Sequence, residues 1–129
     1  MNIKVRIDGV EEVIANLNTI SEDVHKKVKE ELIIAATHVQ NGARKRCPVD
    51  TGTLRNSIAV NEVSDFKVEV GTYLPETPPP TLNVESYMPY AAFVEYGTKK
   101  MKAQPFLFPA YEEEKPKFLK RLKRIVGSD

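Results

Sequence analysis

The sequence predicts an α+β fold in which a small antiparallel sheet packs against one long helix, with a short N-terminal helix and a C-terminal helix beside them. Three observations carry that prediction. Ile3, Val5 and Ile7, then Ile58 and Val60, then Phe66, Val68 and Val70 alternate with mostly polar neighbours, the period of strands with one buried face. Val24, Val28, Leu32, Ala35 and Val39 recur instead at helical spacing, about five turns over roughly residues 21 to 46. Between the two patterns, Pro48-Val49-Asp50-Thr51-Gly52 has the chemistry of a corner: no helical N–H at Pro48, an acceptor for following N–H groups at Asp50, and a residue free to take positive φ at Gly52.

Taken in order, the first strand ends at a turn, Asp8-Gly9. Val10, Val13, Ile14 and Leu17 then form a short amphipathic stripe, with Asp8 and Glu11 as a capping pair and an end near Asn18. Thr19 and Glu22 read as the capping pair of the long helix, and Gly42 within it costs about 1 kcal/mol relative to Ala unless another backbone packs closely there. Ser64-Asp65 reads as a hairpin turn between the two later strands. Residues 73–86 hold four of the nine prolines and read as a mobile, extended loop that awaits a partner. Pro89-Tyr90 opens a short helix, Tyr90, Phe93 and Val94 sharing a face and Gly97 stopping it. The last helix follows Pro105-Phe106-Leu107-Phe108-Pro109, with a break in its apolar spacing around Lys115-Pro116.

The 129 residues fit one domain, 1–129, and the net charge of +1 argues against a surface tuned as a whole to a polyanion. Cys47 is alone, so no intrachain disulfide forms, and a reducing compartment is expected. The longest aliphatic run, Leu32 to Ala36, is too short for a membrane span, so no membrane partner is expected. Asp50-Thr51-Gly52 matches the loop of an aspartic protease, but it follows Arg44-Lys45-Arg46-Cys47 at a helix end instead of an apolar strand, which points to a cap and not to a catalyst. His25 and His38 lie about 20 Å apart by helical rise and cannot share a metal ion. No catalytic, metal or cofactor set emerges. Arg44-Lys45-Arg46 and the late charges of the last helix leave a nucleic-acid-binding accessory role as the alternative, although no aromatic residues interleave with them and no specific nucleic acid is expected. Nine of the ten aromatic residues lie between Tyr73 and Phe118, enough for both a core and an interface.

Three blocks together are more specific than any one: Cys47-Pro48-Val49-Asp50-Thr51-Gly52-Thr53-Leu54-Arg55-Asn56-Ser57-Ile58, Tyr90-Ala91-Ala92-Phe93-Val94-Glu95-Tyr96-Gly97-Thr98, and Met101-Lys102-Ala103-Gln104-Pro105-Phe106-Leu107-Phe108-Pro109-Ala110. Their order and spacing resemble the tail-completion or head-tail joining minor structural proteins of tailed phages, the gene-product-ten-like family. The resemblance covers most of the chain from the long helix onward. It implies a non-enzymatic virion part at the neck, in the virion and in the bacterial host cytoplasm during assembly. Its implied partners are copies of itself in a ring, head-completion proteins, and the tail terminator or tail tube. It gives Pro48, Asp50, Thr51, Gly52, Leu54, Arg55 and Ser57 to one architectural corner and Tyr90, Phe93, Glu95, Gly97 and Thr98 to a second, with Gln104, Pro105 and Phe106 leading into the last helix. Contacts to neighbouring subunits are expected from Tyr73, Leu74, Leu82, Val84 and Tyr87 and from Lys99, Lys100 and Met101.

Overall fold

The computed structural model describes residues 3–15, 21–47, 53–73, 95–97, 99 and 102–127. Its sheet has three antiparallel strands, β1 (Lys4–Ile7), β2 (Ile58–Ser64) and β3 (Lys67–Thr72), in the order β1-β3-β2. Val5 pairs with Val70 and Ile7 with Val68, while Val60 faces Val70 from the other side. The period-two residues therefore share one face, where Val5, Ile7, Val68 and Val70 are buried and Val60 is partly buried. On the opposite face the Glu69 carboxylate is buried between Lys4 and Arg6, with Nζ and Nη2 at 3.4 and 3.6 Å. A register irregularity between Glu62 and Ser64 bends the end of β2.

The inner face is covered by α2 (Glu22–Arg46), a 25-residue helix. Its buried stripe, Val28, Leu32, Ala35, Ala36, Val39 and Ala43, is the helical pattern seen in the sequence. The helix starts at Ser21, whose hydroxyl accepts the Val24 N–H at 3.2 Å, two residues after the Thr19 that sequence spacing favours. Against α2 lies α4 (Leu107–Val126), which also packs on β1 and on α1 (Val10–Ile14). A one-turn helix, α3 (Thr53–Asn56), leads into β2. The α2–α4 crossing is close at Gly42, where an added Cβ would come within 3.1 Å of Ala110 Cβ. The close backbone that would offset a mid-helix glycine is present.

Two expectations are corrected. α1 is shorter than the apolar stripe suggested and ends at Ile14, and it is preceded by Gly9 at φ 104° with no side-chain cap. Asp8 instead accepts the Tyr111 hydroxyl at 3.1 Å and ties the entry of α1 to α4. α4 runs through Pro116 as one continuous helix, and the gap in its apolar spacing at Lys115-Pro116 is a polar, exposed turn, in line with the sequence pattern.

Candidate functional site

The first turn of α4 leaves its N–H groups without a side-chain cap of its own, because Phe106 occupies the capping position. Glu95 supplies the acceptors from elsewhere. Its Oε1 accepts the N–H groups of Phe106 at 3.2 Å and Leu107 at 2.9 Å, and its Oε2 accepts that of Phe108 at 3.4 Å. A carboxylate here also sits at the positive end of the helix macrodipole. Glu95 is 3% exposed, and its charge is balanced by main-chain donors and not by solvent. Gly97, at φ 78°, turns the chain away immediately afterward. Tyr96 remains 61% exposed, its ring 5.8 Å from that of Phe108.

The first corner lies close to this clamp. Cys47 is buried at the end of α2, donating its N–H to Ala43 O at 2.9 Å. Burial pushes its thiol up to about 11; Arg55 pulls it down and Glu95 raises it further, which places both residues within electrostatic reach of it. Leu54 is buried, and the Ser57 hydroxyl donates to Leu54 O at 2.7 Å, closing α3 against the start of β2. From α2, Gln40 Nε2 and Arg44 Nη2 both donate to Ile58 O, at 2.9 and 3.0 Å. Glu95 and Phe106 thus meet directly, Leu54, Arg55 and Ser57 form the adjoining corner, and Gln104 and Pro105 are exposed on the approach to α4. Pro48, Asp50, Thr51, Gly52, Tyr90, Phe93 and Thr98 lie outside the described residues.

The expected contact residues are only partly visible. Tyr73 is 49% exposed where β3 ends, with its N–H on Ser57 O at 3.0 Å, and Lys99 is exposed. Leu74, Leu82, Val84, Tyr87, Lys100, Met101 and the loop expected at 73–86 from residue 74 onward lie outside the described residues.

Between α2 and α4 runs a groove of about 610 Å³ lined by His38, Lys45, Arg46, Glu113, Glu114 and Lys117 among others. Glu114 is buried there, with His38 Nδ1 at 3.0 Å and Arg121 bonded to it; Arg121 also reaches Glu31. Arg46 pairs with Glu113. Arg44 is turned to β2 and Arg46 to α4, so two of the three cations of the basic run already have intramolecular partners. This network was not anticipated from sequence, yet Glu114 falls between Ala110 and Phe118 at four-residue spacing, on the buried stripe of α4. His25, half-exposed, stands 3.1 Å from Asp65 Oδ2 and packs its ring 4.8 Å from Phe66, pinning the hairpin turn to α2. Among the described residues no group of three His, Cys, Asp or Glu could hold a metal ion. No helix is long and apolar enough to cross a membrane among them.

What the arrangement does chemically is hold. Both oxygens of Glu95 are engaged by main-chain N–H groups, which fixes the first turn of α4. Comparison with protein families finds a match to the family described as "Bacteriophage HK97-gp10, putative tail-component", over residues 11–97. No curated protein and no solved structure matches the chain.

Proposed function

Because the chain belongs to the Bacteriophage HK97-gp10-like family of tail components, we propose that it is a non-enzymatic subunit that oligomerises at the head-tail junction of a tailed phage or prophage and completes the tail. Residues 1–129 act as a single domain in this reading. The observation that carries it is the Glu95 clamp: residues of two blocks behind the resemblance are bonded to each other, as befits architecture. Pro48, Asp50, Thr51 and Gly52 then set the first corner together with Leu54, Arg55 and Ser57. Tyr90, Phe93, Gly97 and Thr98 set the second around Glu95.

The subunit's partners are further copies of itself in a ring, with head-completion proteins on one side and the tail terminator or tube on the other. It resides in the virion neck after assembly in the host cytoplasm. Tyr73, Leu74, Leu82, Val84, Tyr87 and Lys99 to Met101 form the margin that meets neighbours. The test is electron microscopy of particles produced without this subunit. Full heads and separate tails are the expected result; infectious virions assembled normally would overturn the proposal.

A further inference from the structure

The two edges of the sheet are built differently. Thr72 N–H donates to Ile3 O at 2.8 Å and Tyr73 N–H to Ser57 O at 3.0 Å, and these bonds set which main-chain groups face β3. By alternation, Lys4 and Arg6 turn theirs outward from β1, while Ile58, Val60 and Glu62 turn theirs outward from β2. β1 is four residues long, and both its outward positions carry exposed basic side chains, the ordinary guard against strand addition. β2 has seven residues and no Lys, Arg or Pro. Gln40 and Arg44 occupy the Ile58 carbonyl, but the outward groups of Val60 and Glu62 have no hydrogen-bond partner among the described residues.

We infer that the β2 edge binds the β2 edge of a second copy of this chain, antiparallel and about a two-fold axis at Asn61. The edge is self-complementary in that register. Val60 falls opposite the partner copy's Glu62, and the two pairs related by the axis would exchange about four main-chain hydrogen bonds. Val63, 48% exposed, lies in the register irregularity just beyond these pairs. On the helix side, α2 passes beneath β2 with Gln40 and Arg44 at the Ile58 end and Lys29 at the turn, where its Nζ lies 3.7 Å from Asp65. Between them a shallow depression of about 450 Å³ is lined by Ile33, Ile34, Lys26, Lys29 and Glu30. The second copy's Glu62 carboxylate enters beside two lysines and its stem lies over two isoleucines. Lys26 and Lys29 face that carboxylate, Glu30 and Asp65 offset part of their charge, and the register in which each copy's Val60 meets the other's Glu62 favours a second copy as the occupant. A two-fold contact closes at two subunits, so it is separate from the head-to-tail contact that a ring requires.

The test uses the purified full chain. Sedimentation equilibrium should show a monomer–dimer equilibrium with a dissociation constant below about 1 mM. Glu62→Pro, which removes an outward N–H at an edge where proline is tolerated, should weaken it at least about tenfold while circular dichroism and the melting midpoint stay near wild type. Asn61→Cys should oxidise to a covalent dimer, because non-hydrogen-bonded opposite residues stand about 4.5 Å apart at Cα. Wild type, with Cys47 buried, should not. A monomer at every concentration, a dimer indifferent to Glu62→Pro, or an Asn61→Cys chain that stays uncrosslinked would each overturn the inference. The cross-link stands as an independent measure should Glu62→Pro fail to fold.

Discussion

The Leu107 N–H lies 2.9 Å from Glu95 Oε1, so a side chain twelve residues upstream caps a helix whose own capping position is a phenylalanine. Glu95→Ala leaves three N–H groups of that turn without their acceptor and should cost roughly 1–3 kcal/mol in urea unfolding. Glu95→Gln keeps one acceptor oxygen and should cost less. Amide exchange at Phe106, Leu107 and Phe108 should accelerate in the alanine variant; exchange and stability equal to wild type would show that the clamp contributes nothing.

At the helix crossing, Gly42 faces Ala110 with no room for more than a small group. Gly42→Leu should destabilise by about 1–3 kcal/mol through overpacking, despite its better helix propensity. Adding Ala110→Gly should recover part of that loss. Thermal melts of the two single variants and the double variant test the pairing through their non-additivity.

Cys47 is the clearest pH-dependent element, its thiol raised from 9.0 to about 11, chiefly by burial. The folded state therefore favours the neutral thiol, and this contribution to stability is complete below about pH 9 and is lost as pH rises through 11. Tyr111, raised to about 12 by burial and by its bond to Asp8, adds a similar loss at still higher pH. Cys47→Ala should flatten the decline between pH 9 and 11 in urea titrations. Alkylation of native protein at pH 8 should proceed only as fast as unfolding exposes the thiol; rapid labelling would contradict this environment.

Pro116 lies inside α4 and supplies no N–H to the turn before it. Pro116→Ala should raise stability by about 1–3 kcal/mol, reduced by the added freedom of the unfolded chain. A lower melting midpoint in this variant would mean that the ring of Pro116 packs usefully where it stands.

What the sequence made legible were the parts governed by local period. Val5, Ile7, Val68 and Val70 alternate, and α2 carries a single stripe, so the strands and the long helix could be placed from their own residues. The hairpin turn at Asp65 was legible for the same reason. Ser21 was missed because Thr19 has Glu22 three residues on, the pattern of a capping pair, while Ser21 has Val24 there and caps through its own hydroxyl alone. Asp8 was assigned to the wrong partner because Tyr111, which engages it, is 103 residues away. Glu95 was identified as a corner residue through the blocks that carry the resemblance, but its role as a cap for α4 depends on tertiary placement that no local pattern encodes.

The order of the strands has a consequence for synthesis. β3 is flanked by β1, made long before it, and α2 presents its second flank to α4, which is made after every other described element. Until Leu107–Val126 leaves the ribosome, the side of α2 around Gly42 lacks Ala110 and the rest of α4 against it. A chain truncated by a premature stop would expose that flank and be open to aggregation or proteolysis, leaving little stable fragment to compete with finished subunits.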